Sequence, residues 1–353
     1  MIMKTRQSKC LVGKLKVLTL LMMGSAALMT ANLAAAQEGK KIRFALDWAM
    51  QGPQAPFLIP HADGCYAKAG LDVTTDRGFG SGDTVTKVAS GGYDVGFADI
   101  NVMIEYNAKH PDSRLIAFFM IYDGNALSIA TLKNKGITKP TDLVGKTLAA
   151  PAGDASRRLF SVLAKANNFP ADSVKWVNVS PELRESMLVR GSVDAISGAA
   201  FPVYMGVKAG GVKEENIVML RYPEYGVSLY GTALIAKPAY AAANAKAMTS
   251  MIECVAQGMA KSMKNPDAAI DALLKREPLT DKKTELERMK LSFDWSIATP
   301  WVKKNGMSFI DPARLNKSLT EVSAALDIPR PDAKDVYTDA YLPPRSSLMI
   351  TAK

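Results

Sequence analysis

The chain has 353 residues, room for about two domains, with 48% hydrophobic and 22% charged residues, the balance of a globular chain and not of a disordered one. Its formal charge is +10, but five of the 44 basic residues and none of the 34 acidic ones lie in the first 36 positions, leaving 39 against 34, a net +5. That mild excess, with no Lys/Arg cluster interleaved with aromatics, argues against a nucleic-acid partner; it tolerates an anionic ligand without establishing one.

In chain order, Lys4, Arg6, Lys9, Lys14 and Lys16 precede an apolar stretch from Val17 to Leu33 and then Ala34-Ala35-Ala36. This is the pattern of a secretory signal over residues 1–36. Gly24, Ser25, Thr30 and Asn32 interrupt the apolar stretch and favour cleavage over a membrane anchor. Cys10 lies before the apolar run and does not look like a lipid-attachment site. Of the remaining cysteines, Cys65 and Cys254, neither belongs to a Cys-x-x-Cys pair. An oxidising compartment permits them to pair, but two buried free thiols are the expectation. His61 and His110 stand apart from other ligand types, so neither a metal site nor a cofactor is expected.

The mature chain reads as alternating strands and helices. Lys41–Asp47 is a strand leading into a loop with Gly52, Pro53 and Pro56. Phe57–Ala69 reads as a helix, Leu71–Thr75 as a strand, and Arg77–Gly82 as a glycine-rich loop. Asp83–Ser90 (helix), Tyr93–Ala98 (strand), Val102–Asn107 (helix) and Leu115–Ile121 (strand) follow. A second series runs Leu127–Lys133 (strand), Lys146–Ala150 (strand), Ser156–Asn167 (helix), Val174–Val179 (strand), Pro181–Val189 (helix) and Val193–Ser197 (strand), ending in a turn at Gly198–Pro202. Ser228–Ala236 reads as a strand returning to the first series. Helical patterns follow over Ala239–Asn265, Pro266–Lys275, Asp281–Trp295 and Asp311–Leu326, and the tail after Pro329 is irregular.

This alternation implies an α/β fold with mostly parallel, doubly covered sheets. One phrase occurs twice: TVTKVASGGYDVGF at 84–97 and RESMLVRGSVDAI at 184–196, aligning Gly91 with Gly191 and Asp94 with Asp194. A helix that stops at glycine and passes into a buried strand is a parallel α/β step. Two copies imply two similar lobes with a cleft between them: residues 37–125 and 232–353 in lobe one, 126–231 in lobe two. Two chain crossings would make a hinge.

Chemistry in such folds collects at the carboxyl ends of strands. Asp94 and Asp194 lie at strand starts and read as structural. Asp47 and Trp48 follow the first strand; Trp48 either stacks on a ligand or closes the core edge. Gly80 and Ser81 precede a helix whose first N–H groups suit an acceptor oxygen, with capping by Ser81 or Asp83 as the other use. Asp99 and Asn101 follow the third strand. Asp154, Ser156 and Arg157 open a helix in lobe two, Arg157 being either a partner for an anion or an exposed helix residue. Phe201 and Tyr204 could supply the opposite wall. There is no Ser-His-Asp set or thiol pair, so no catalysis is expected.

The signal pattern, KIRFALDW, GCYAKAGLDVT, GSGDTVTKVASGGYDVGFAD, ITKPTDLVGKTLAAPAG, GSVDAISG and the tail MSFIDPARLNKSLTEVSAALDIP…DVYTDAYLP together resemble periplasmic substrate-binding proteins of ABC importers. The branch is the one serving alkanesulfonates, taurine, nitrate and thiamine-pyrimidine precursors. The resemblance implies a two-lobed type II periplasmic binding fold, monomeric, closing on one small molecule and docking on a membrane permease with its ATPase. Two departures bear on the ligand. Ala199-Ala200-Phe201-Pro202 replaces the Trp-bearing turn of many relatives, and Gly153-Asp154-Ala155-Ser156 places an acid where sulfonate and nitrate relatives have a Gly-Ser-Ser-like start. With Asp47-Trp48, which resembles the pyrimidine-precursor binders, they favour a polar heteroaromatic or mixed-charge ligand over a simple sulfonate. Pyrimidine-synthesising enzymes share this fold, but their cysteine-rich motif is missing here.

Overall fold

The computed structural model describes residues 39–350, so the expected signal segment and Cys10 lie outside the described residues. Among the described residues, ten strands form two five-stranded sheets. They are β1 (Lys40–Ala45), β2 (Leu71–Asp76), β3 (Val95–Asp99), β4 (Ile116–Met120), β5 (Leu127–Leu132), β6 (Thr147–Ala150), β7 (Lys175–Asn178), β8 (Ala195–Ala199), β9 (Ile217–Arg221) and β10 (Thr232–Ala236). The first sheet has the order β2-β1-β3-β10-β4 and the second β7-β6-β8-β5-β9. The central strands β3 and β10 are buried along their whole length, as expected of strands covered on both faces.

Each sheet is mixed, with one strand antiparallel to both of its neighbours. β1 runs parallel to β3, but β10 is antiparallel to both β3 and β4. β6 runs parallel to β7 and β8, while β5 is antiparallel to β8 and β9. In each sheet the strand running against its neighbours is the first one after a crossing. The chain crosses between the sheets twice, from β4 to β5 and from β9 to β10, and an apolar strand pattern carries no information about the direction of entry.

The repeated Gly-x-x-Asp phrase is a strand staple. Gly91 and Gly191 adopt φ +83° and +73°, the left-handed stop that ends each helix. Asp94 then exchanges two bonds with β1: its N–H donates to the Arg43 carbonyl at 2.9 Å, and the Arg43 N–H donates to its carboxylate at 2.8 Å. Asp194 does the same with Thr147 of β6, at 2.9 Å in both directions. Each aspartate therefore fixes the register of a parallel strand pair.

Several expected helices are broken. The expected helix Phe57–Ala69 is instead the end of a 3-10 segment, Gly52–Phe57, and two short helices, Ile59–Ala62 and Cys65–Lys68: Pro60 lacks the donor a continuous helix needs, and Gly64, at φ +73°, parts the two short helices. Ser156–Asn167 breaks at Leu159 and Ala239–Asn265 at Asn244. The turn expected at Gly198–Pro202 is instead the end of β8 and the first turn of a helix, Ala200–Ala209. Pro202 sits in that first turn, where a missing N–H costs nothing. The helix is apolar nearly all round and so lacks the striped pattern that reveals a helix in sequence. The strand expected from Ser228 begins only at Thr232.

Cys65 and Cys254 are not free thiols. They form a disulfide with Cα atoms 5.7 Å apart, joining the Cys65–Lys68 turn to the long helix Ala245–Lys264. Their separation of 189 residues hid the pairing, since sequence distance says nothing of spatial distance. No helix among the described residues is long and apolar enough to cross a membrane.

Candidate functional site

The carboxyl ends of β1 and β3 face those of β6 and β8 across a small cavity of about 40 Å³. Asp47, Trp48, Gly80, Ser81, Asp99, Asp154, Ser156 and Phe201 line it, together with Gln51, Pro53, Gln54, Tyr122, Arg184, Pro202 and Thr232. The lobes are closed on it. The Gly82 N–H donates to the Gly153 carbonyl at 3.0 Å, so a backbone oxygen of the second lobe occupies part of the acceptor site expected at that helix start. Ion pairs Arg77–Glu182 at 3.0 Å, Arg158–Glu105 at 2.7 Å and Lys208–Glu287 at 2.9 Å ring the contact.

On the first side, the Gly80 N–H donates to the Asp47 carbonyl and the Gly78 N–H to the Trp48 carbonyl, tying the two loops together. Gln54 Nε2 donates to Asp47 Oδ1 at 3.1 Å. The loop is held from behind, where the Gly52 N–H donates to buried Glu285 at 2.6 Å. Ser81 Oγ accepts the Asp99 N–H at 3.0 Å. Asp99 caps the helix Ile100–Lys109 by accepting the Asn101 N–H at 2.8 Å. The expected caps at Ser81 or Asp83 do not form; Gly80 holds the N-cap position with no side-chain bond.

On the second side, Asp154 caps the short helix Ala155–Arg158 by accepting the Arg157 N–H, and also accepts from the Ser197 hydroxyl, each at 3.0 Å. Ser156 Oγ accepts the Ser128 N–H at 3.2 Å. Arg184, 1% exposed, donates through Nε and Nη2 to Glu185 and through Nη1 to the Ser197 carbonyl; its Nη1 lies 3.6 Å from Asp154. Its guanidinium stands 4.7 Å from the centroid of the Trp48 ring. A tilted Phe57–Phe97 pair and two edge-to-face pairs, Phe97–Tyr122 and Tyr122–Phe201, carry aromatic packing from the first core to the second-lobe wall.

Burial sets the electrostatics. Asp99 is pushed up to about 7 by loss of solvation, an effect that the Asn101 donors only partly offset and that the Asp47 charge reinforces. Asp47 retains some opening to the cleft, yet burial pushes it up to about 7 as well, against the Gln54 donor. Asp154 is raised by burial despite Arg184. Desolvation disfavours the charged form of each acid.

Three expected site residues are not in the cavity. Asn101 is fully buried below it, where its amide donates to the Tyr230 carbonyl at 2.8 Å. Arg157 turns away, donating to the Ala150 carbonyl and Asn178 and lying 5.1 Å from the Trp176 ring centroid. Tyr204 packs against Trp295 of the other lobe at 6.1 Å. The sequence reading missed Gln51, Gln54, Tyr122, Thr232 and, most consequentially, Arg184. The repeat contained a clue to it: Arg184 occupies the position of Thr84, one hundred residues earlier, and Thr84 is wholly buried. No group of three or more metal-ligating side chains occurs among the described residues.

Two mixed α/β sheets facing each other over a closed cleft define a two-lobed periplasmic binding fold, and comparison with known proteins agrees. The NMT1/THI5-like family matches residues 52–269, more than half of the chain, and the protein belongs to that family. A curated relative, the formylaminopyrimidine-binding protein of Halalkalibacterium halodurans, is 23% identical over 262 residues, 73% of this chain and 76% of that one. Among solved structures, one from Bordetella bronchiseptica RB50 superposes with TM-score 0.69 at 19% identity, covering 86% of this chain and 96% of its own. The alkanesulfonate-binding protein of Xanthomonas axonopodis pv. citri, bound to MOPS, gives 0.66 at 15% identity, covering 86% and 100%.

Proposed function

We propose that this protein is a non-enzymatic, periplasmic solute-binding protein that delivers a small polar organic molecule to the permease and ATPase of an ABC importer. The observation that carries the reading is the closed cavity itself. Loops from strand ends of both sheets line it with acids, amides and aromatic faces, and backbone and ion-pair contacts between the lobes seal it. Such a concave site with a few convergent polar groups is built to hold a ligand. We assign lobe one to residues 37–125 and 232–353 and lobe two to 126–231, with the hinge where the chain crosses between β4 and β5 and between β9 and β10. The acid-lined cavity and the formylaminopyrimidine-binding relative support a pyrimidine-precursor-like ring over a sulfonate or nitrate.

A thermal-shift screen over pyrimidines, sulfonates, nitrate and aromatic carboxylates tests the reading. A ligand at about 100 times its dissociation constant adds about 2.7 kcal/mol of stability. Small-angle scattering of the hit should show the open population compacting; an unchanged profile with proven binding removes the hinge. Trp48→Ala should weaken binding by about 1–3 kcal/mol, and unchanged affinity in a folded variant would leave Trp48 as a core-edge residue.

A further inference from the structure

We propose that the cavity takes its ligand as a planar cation carrying N–H donors, held by Asp47 and Asp99; the proposal rests on the solute-binding reading above. The charges lining the site decide it. Asp47, Asp99 and Asp154 all face the cavity, against the single guanidinium of Arg184. That guanidinium is committed: Nε and Nη2 donate to Glu185, and Nη1 to the Ser197 carbonyl beside Asp154. The neighbouring arginines also point elsewhere, Arg157 to Asn178 and Arg158 to Glu105. An anion entering here would meet three acidic side chains and no uncommitted cation.

The neutral groups have the same bias. Gln51 and Gln54 line the cavity, and their side-chain oxygens are buried and accept no protein donor. Gln54 has already turned its amide nitrogen to Asp47, which leaves its oxygen as a spare acceptor beside the cavity. A buried acceptor left unpaired costs about 1–3 kcal/mol, which a ligand N–H would recover. Trp48 and Phe201 supply flat walls. A protonated aminopyrimidine or another amidine-like ring offers the matching edge, with several N–H donors, positive charge and planarity.

The acids also set a proton balance. Asp47 and Asp99 hold protons up to about pH 7. The other charged or titratable groups around them are Tyr122, Asp154, Arg184 with Glu185, and the Glu285–Arg288 pair behind Gly52. A cation that pairs with the ionised form displaces one carboxyl proton to solvent.

Calorimetric titration of the full secreted chain with 4-aminopyridinium, a cation throughout the range used, tests this against methanesulfonate and neutral uracil. Run in two buffers of different ionisation heat, it should show release of about one proton per ligand near pH 7, with affinity falling up to about tenfold per pH unit below that. Asp99→Asn, which can still cap its helix, should weaken binding at least about tenfold and flatten the pH profile. Asp47→Asn, which caps nothing, should do the same. Tighter binding of methanesulfonate or uracil than of the cation, or cation affinity indifferent to both variants, overturns the charge assignment while the solute-binding reading stands. If no member of the wider solute panel binds, the solute-binding reading falls and takes this proposal with it.

Discussion

The guanidinium of Arg184, carried by the second lobe, lies 4.7 Å from the centroid of the Trp48 ring, which the first lobe carries. The contact spans the cleft, and both residues are buried. Arg184 therefore joins two tasks. It neutralises Asp154 and Glu185 within its own lobe, and its flat face rests on the other lobe's aromatic wall. A guanidinium suits this because its hydrogen bonds lie in its plane while its face stays free for a ring.

Arg184→Ala should destabilise the protein by about 3–5 kcal/mol, because Asp154 is left buried, and Glu185 half-buried, without their cation. Urea unfolding measures it. Adding Asp154→Asn, which keeps the cap on the Ala155–Arg158 helix, should restore part of the loss. If the double variant is no more stable than Arg184→Ala alone, the damage comes from lost packing and not from stranded charge. Arg184→Lys should retain the charge but lose the ring contact.

Gly80 controls closure. It adopts φ +117°, ψ 153°, and an added Cβ would lie 2.5 Å from the Gly153 carbonyl oxygen and 2.6 Å from its carbon. Both backbone strain and an interlobe clash oppose a side chain there. Gly80→Ala should hold the lobes apart. Small-angle scattering should then report a larger radius that ligand no longer reduces, with affinity at least about tenfold weaker. A variant that compacts normally would show that the Gly82–Gly153 contact does not limit closure.

The sequence made the scaffold more legible than the site. Gly91, Asp94, Gly191 and Asp194 announced two equivalent steps because their backbone roles demand particular residue types at fixed spacing. Eight of the eleven expected site residues line the cavity for a similar reason: strand ends are recognisable, and loops following them converge. Arg184 was hidden because its helix start, RESMLV, reads as a solvated charged turn. Only the fold packs that turn against Ser197 and Trp48. Arg157 misled for the converse reason. An arginine in the first turn of a cleft helix can swing to either side, and Trp176 on the neighbouring strand captured it.

The Cys65–Cys254 bond encloses the whole of the second sheet in one covalent loop, since β5 to β9 all lie between the two cysteines. Opening a loop of 189 residues frees much chain entropy in the unfolded state, and removing such a bond costs about 2–5 kcal/mol. Cys254→Ser should lower the calorimetric melting temperature by the corresponding amount. Reductant should lower the wild-type value and leave the variant unmoved. Equal melting with and without reductant in the wild type would show that the bond adds nothing to stability.

Asp47 and Asp99 give the unliganded fold an unusual pH response. In the unfolded chain each loses its proton near the ordinary value of 3.8, whereas in the folded chain each keeps it to about 7. Between those limits the folded state binds more protons, so stability falls as pH rises through the window and levels off above it. Asp142, held low by the Thr138 N–H, acts the other way, losing its contribution only as pH drops below about 4. His61, which burial lowers from 6.5, also opposes the two acids, gaining stability as pH rises towards that value. The variants isolate the acids from these groups. Asp47→Asn and Asp99→Asn should each raise the urea midpoint at about pH 8 while changing it little at about pH 4, with m unchanged. An Asn variant that is equally destabilised at both pH values would show that these carboxylates are ionised and satisfied in the folded protein.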